Sequence, residues 1–189
     1  MKVIDTIART SLALVVIAAL ATTAFTQDKL LLTEIVVTPT DAEFVEIYNP
    51  NTTAVDLTDY YLTDATFQGG STYYYQIVLR DAVSQAGGGG SFADWHARFP
   101  DGAMIASGEY QTVALSGDSL FSAAYGVPPT YELYEDSAGV DSIPNMLEAD
   151  SGSINGQGGL TNGDEVVILY YWDGLTDLVA PRLICTDRP

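Results

Sequence analysis

Cysteine, histidine and positive charge are all scarce in this chain. A single cysteine, Cys185, rules out an internal disulfide, so the fold has to be held by apolar burial, helped by any ions it binds. A single histidine, His96, leaves a zinc centre without its usual ligands, because the one His and the one Cys stand about 90 residues apart. A Ser-His-Asp device would depend on His96 as well, and no G-x-S-x-G elbow accompanies it; Ser151-Gly152-Ser153 has only loop composition. Seven basic residues face 25 acidic ones, for a formal net charge of −18. Such a surface repels nucleic acid and anionic lipid. It suits a saline or calcium-rich exterior, where cations screen the self-repulsion, and it also serves plain solubility. No internal repeat or long heptad pattern is present.

Residues 1–26 have the layout of a signal peptide. Lys2 and Arg9 form a positive start, residues 12–20 are apolar, and the small residues Ala19, Ala21, Thr22, Thr23, Ala24 and Thr26 follow. Cleavage after Ala21, Ala24 or Thr26 fits equally well. A membrane anchor is the rival reading, but an apolar run of about ten residues falls well short of the roughly 20 that span a bilayer. Removal takes Lys2, Arg9 and Asp5 away, leaving five of the seven basic residues and 24 of the 25 acidic ones. The expected organisation is a signal peptide at 1–26, one domain at 27–180 and a short tail at 181–189, in a secreted or cell-surface protein with no membrane span after processing. About 160 residues are enough for one domain with a full core.

Residues 43–64, EFVEIYNPNTTAVDLTDYYLTD, combine strand alternation with a specified turn. With period two, Val45 and Ile47 point one way, and Phe44, Glu46 and Tyr48 the other. Asn49-Pro50-Asn51-Thr52-Thr53 breaks the strand, since Pro50 has no N–H for a ladder and Asn side chains bond turn backbone. Strand residues resume at 54–57 and 60–62 around Thr58-Asp59. The pattern F-V-E-I-Y-N-P, then V-D-L, then Y-Y-L-T-D resembles the lamin-tail domain, with Asp59 standing where that family usually has glycine. Residues 32–37 look like its first strand, and 159–169, G-L-T-N-G-D-E-V-V-I-L, look like its L-x-N-x-G-D-x-V-x-L strand. The P-x-G-x-x-I-x-x-G-E-Y layout at 100–110 is similar to it as well. The resemblance covers about 30–179 and implies an all-β, immunoglobulin-like antiparallel β-sandwich of the secreted bacterial type. It implies a non-catalytic interaction or structural role toward a protein, glycan or surface polymer. A second reading is an accessory domain of a longer secreted nuclease or phosphatase, and a third is a calcium-dependent adhesion or glycan-binding module.

Elsewhere, 72–79 reads as an aromatic, β-branched strand, and Gly87-Gly88-Gly89-Gly90 as a surface loop. In 91–100, Trp95 and Phe99 are expected to plug an end of the sandwich, with His96 and Arg98 solvated. A short helix is expected at 119–125, ended by Gly126. Residues 131–150 read as an acidic excursion between strands. The strand at 160–171 is apolar on both faces and so belongs in the centre of a sheet. Its partner is expected at 175–179, stopped by Pro181. Because Arg182 and Arg188 then turn the local charge positive, the end of the chain reads as a truncated design, in which 181–189 adds little stability.

No residue is assigned a catalytic, cofactor-binding or metal role, and the chain is read as not an enzyme. Calcium, which takes six to eight oxygens, is the ligand its acids would suit best. The candidate groups are Asp56/Asp59/Asp64, Glu132/Glu135/Asp136 and Asn162/Asp164, none with EF-hand spacing. Val45→Asp is expected to be far more damaging than Glu43→Ala, with Val45 in the core and Glu43 on the surface; thermal melts of the two variants compare them.

Overall fold

A computed structural model describes residues 29–64, 94–136, 141–149, 152–154, 156, 158–163 and 166–172, and the backbone of 180–186. The strand expected at 72–79, the glycine run at 87–90 and the partner strand at 175–179 lie outside these residues.

The elements follow the alternation in the sequence. In chain order they are β1 (Leu31–Val36), β2 (Phe44–Tyr48), β3 (Val55–Asp56), β4 (Tyr60–Thr63), β5 (His96–Arg98), β6 (Met104–Ile105) and β7 (Tyr110–Ala114). Helix α1 (Asp118–Tyr125), β8 (Tyr131–Glu132), β9 (Leu147–Glu148), β10 (Val166–Tyr171) and β11 (Ala180–Thr186) follow, with a single 3-10 turn at Thr40–Ala42 before β2 among the described residues. One sheet has the order β1-β2-β7-β8, a second β11-β10-β4-β5-β9, and β3-β6 form a small ribbon. The pairings are antiparallel except that of β7 with β8, which is parallel. The two larger sheets pack face to face as an immunoglobulin-like β-sandwich.

Val45, Ile47 and Val113 from one sheet meet Leu62, Ala97 and Leu169 from the other, all fully buried. Trp95 and Phe99 join the same core, as their size and apolar character require. On β10, Val167 and Leu169 face this core while Ile168 and Tyr170 enter a second cluster with Tyr61 and Trp172 on the opposite face. Both faces of the strand are covered, which accounts for its unbroken apolar sequence.

The 49–53 turn is held by one side chain. Asn49 is fully buried, and its Nδ2 donates to the carbonyls of Thr53, Ile105 and Ala106 at 2.9, 3.0 and 3.1 Å. Its Oδ1 accepts from the Asn51 amide at 2.9 Å and from Asn51 Nδ2 at 2.7 Å. One carboxamide thus closes the turn and ties it to β6, 56 residues further along.

Several expectations are corrected. Glu43 is fully buried, not on the surface: its Oε2 accepts from the Leu160 amide at 2.6 Å, joining the start of β2 to the approach to β10. His96 is fully buried rather than solvated, because it lies inside a five-stranded sheet with Nε2 2.5 Å from the Tyr170 hydroxyl. Arg98 is partly buried, pairs with Asp101 at 2.9 Å and donates to the Thr58 carbonyl at 3.3 Å. The 131–150 segment is more than an excursion, since β8 adds to the first sheet and β9 to the second.

Strand β10 pairs with β4 on one side and β11 on the other, so the sheet continues through Pro181 into the residues read as a tail. Pro181 stands opposite Tyr170, next to a register shift on an edge strand, where a missing N–H removes no regular ladder bond.

Two outcomes follow. Deleting 181–189 is expected to lower the melting temperature substantially by stripping the edge from β10, and an unchanged melt would show that this pairing adds nothing. Asn49→Ala is expected to lose about 2 to 3 kcal/mol in urea unfolding, because it strands buried carbonyls, whereas Thr53→Ala stays within about 0.5 kcal/mol.

Candidate functional site

The outer face of the first sheet has two unlike ends. Across its strands, Val36, Phe44, Ala114 and Glu132 lie in register at one end, and Leu31, Tyr48 and Tyr110 at the other. Helix α1 roofs the first end. Phe121 and Tyr125 close on Phe44 edge to face, with ring centroids 5.4 and 5.2 Å apart, and the Tyr125 hydroxyl donates to the Ala42 carbonyl at 3.0 Å. The other end has no such roof among the described residues: Leu31 is 37% and Tyr110 57% exposed, with the Tyr48 and Tyr110 rings stacked 4.3 Å apart. Glu34 and Glu46 pair in the row between the two ends, and Glu46 Oε1 accepts from Thr33 Oγ1 at 2.7 Å.

Glu132 reaches the roofed end through simple alternation. Tyr131 and Leu133 point into the core, so the residue between them faces outward under the start of α1. Its backbone is fixed on both sides, with the Leu133 amide on the Ala114 carbonyl and the Met146 amide on the Glu132 carbonyl, each at 2.8 Å.

The helix lacks a capping side chain of its own. Gly117 stands at the N-cap position, and the first free amides are taken by carboxylates from elsewhere: Asp118 N–H by Glu132 Oε2 at 3.0 Å, Ser119 N–H by Asp136 Oδ2 at 3.2 Å. Carboxylates at a helix start satisfy orphan donors and the local dipole together. Gly117 is required here, since its φ is +86° and a Cβ would fall 2.4 Å from Asp136 Cβ. The other end closes on Gly126 in the left-handed region, its N–H on the Ser122 carbonyl at 2.9 Å.

Asp118, Glu132 and Asp136 therefore converge, each with a carboxylate oxygen within 4.8 Å of the others. Burial pushes the Glu132 carboxyl up to about 7 despite its bond to the Asp118 amide, with the charges of Glu135, Asp118 and Asp141 adding to the rise. The Asp118 carboxyl is also raised, by desolvation first and then by Asp141 and Asp136.

Of the acid groups picked out in the sequence, Glu132 and Asp136 do come together, and Glu135 acts on Glu132 by charge. Their third member is Asp118, which sequence spacing could not supply. Asp56, Asp59 and Asp64 serve separate local tasks. Asp56 Oδ1 accepts from Thr58 N–H at 2.9 Å, the Asp59 carbonyl from the Trp172 amide at 3.0 Å, and Asp64 Oδ1 from the Trp95 amide at 2.6 Å. Asn162 Oδ1 accepts from Thr38 Oγ1 at 3.2 Å, and Asp164 lies outside the described residues.

The family model for the Lamin Tail Domain matches residues 23–179. The chain belongs to the lamin tail domain family. Within that match fall both stretches that carry the resemblance, 43–64 and 159–169, and the lamin tail domain's sandwich accounts for the position of each. Strand β11 lies wholly beyond the matched range and still pairs with β10. A search of curated proteins returned no match to the chain. No helix among the described residues of this lamin tail domain is long and apolar enough to cross a membrane.

With EDTA present, the lamin tail domain is expected to lose stability as pH rises. A carboxyl at about 7 in the folded state against 4.5 in the unfolded chain makes the folded form bind more protons between those values. The loss therefore develops from about pH 4.5 to pH 7 and is complete above it. In urea unfolding across this window Glu132→Gln is expected to flatten that part of the profile, and a parallel slope in the variant would assign it to other groups.

Proposed function

We propose that this lamin tail domain is a non-catalytic interaction module of the cell exterior, secreted or held at the surface, that binds an uncharged glycan through the bare end of its first sheet. The carrying observation is the row of exposed Leu31, half-buried Tyr48 and exposed Tyr110 on the same face whose other end is roofed by α1. Stacked tyrosines give a sugar ring an apolar platform at little conformational cost, and the neighbouring carboxylates of Glu34 and Glu46 offer acceptors for hydroxyls. The net charge of −18 argues against a polyanionic partner. The leader-like residues 1–26 support an exterior location.

The test uses cell envelopes of the producing organism and the deproteinised polysaccharide isolated from them. The protein is expected to cosediment with both, and Tyr48→Ala/Tyr110→Ala to lose at least ten-fold in affinity with its melting temperature kept within a few degrees. Retained binding by the double variant, or binding lost once protein is stripped from the envelopes, would reject this reading.

A further inference from the structure

We propose that the carboxylates of Asp118, Glu132 and Asp136 form a calcium site at the junction of helix α1 and strand β8. The inference is independent of the glycan reading, because these groups lie at the opposite end of the sheet face.

Convergence of three acids is not sufficient by itself, since both Glu132 and Asp136 have a structural task in taking the first amides of α1. That task uses one oxygen of each. The Glu132 side chain is fully buried, yet its second oxygen, Oε1, has no hydrogen-bond partner among the described residues. A buried carboxylate oxygen without a donor loses hydration and gains nothing in return, and the usual remedy is a donor, an ordered water or a cation. The same carboxylate lies within 4.8 Å of an oxygen from Asp118 and one from Asp136, so what would satisfy it has to suit three acids at once. The charge of Asp141 also bears on Asp118 and Glu132, which adds a fourth acid to the surroundings of the cluster. A lysine or arginine cannot come from the surrounding sequence, because the chain contains neither between Arg98 and Arg182.

The donor set selects the ion. Carboxylate oxygens without sulfur or imidazole favour a hard cation over zinc or copper. Three side chains drawn from a helix start, a strand and the residues after it make an irregular arrangement, and calcium tolerates such geometry and completes its shell with water, whereas magnesium demands a near-ideal octahedron. The ion would join α1 to β8 directly and relieve the mutual repulsion of the acids that now cap the helix.

Isothermal titration of the purified, metal-stripped protein with calcium chloride tests the site, with magnesium chloride and matched sodium chloride as controls. One calcium per chain is expected, with a dissociation constant of about 0.1 to 1 mM as in extracellular modules, and a rise in melting temperature of about 3 to 6 °C at 10 mM calcium. Asp118→Asn leaves both capping carboxylates in place, so it is expected to fold normally and to bind calcium at least ten-fold more weakly. Glu132→Gln should do the same, with circular dichroism confirming its fold. The proposal fails if calcium gives no heat and no shift, if magnesium matches calcium, or if folded Asp118→Asn binds as tightly as the parent.

Discussion

The carboxamide of Asn49 is the fixed point of the molecule. Its donors reach three carbonyls and its oxygen accepts two N–H groups, so a turn that begins with a helix-incompatible proline is held to the β3-β6 ribbon. The backbone repeats the connection, with the Asn49 amide on the Glu109 carbonyl at 3.0 Å and the Gly108 amide on the Asn49 carbonyl at 2.8 Å. Because β2 ends here and β7 begins beside it, the register of Tyr48 with Tyr110 is set at this point, and with it the whole β2-β7 ladder. Buried Glu43 does at the other end of β2 what Asn49 does at this one, fastening the strand to the approach to β10. The central strand of the first sheet is thus anchored at both ends by polar side chains with specific partners.

Much of this was legible in the residues themselves. Period-two alternation placed Val45 and Ile47 in the core, the doubly apolar run at 166–171 announced a strand covered on both sides, and Gly126 marked the end of α1. What the sequence concealed were long-range polar contacts. Glu43 and His96 look like surface residues because a titratable group is buried only where a partner awaits it, and those partners lie 117 and 74 residues away. Pro181 misled for a related reason: whether a proline ends a strand depends on what stands opposite it, and here a register shift on an edge does. The acid cluster was two-thirds visible, since Glu132 and Asp136 are near neighbours, while Asp118 joins them only through the helix that folds back over β2 and β7.

The division of the outer face gives the domain two kinds of chemistry on a single sheet. At one end, aromatic packing by Phe44, Phe121 and Tyr125 roofs an apolar row and brings acids to its margin. At the other, Tyr110 remains open to solvent beside half-buried Tyr48. The same alternation in β2 produces both, since Phe44, Glu46 and Tyr48 share one side and only the neighbouring elements differ.

Gly117 sets how closely that roof can approach. Only a hydrogen atom fits between the helix start and Asp136, so the approach of α1 to the residues that follow β8 is fixed by the smallest residue. Any side chain at this position would act as a wedge, prising the helix up at its start while Gly126 and the Tyr125 hydroxyl still tether its far end. The face would then open like a hinged cover, baring the apolar row of Phe44 on the far side of the Glu34 and Glu46 row from the tyrosines. A change of one methyl group would in this way expose apolar surface that the helix now covers.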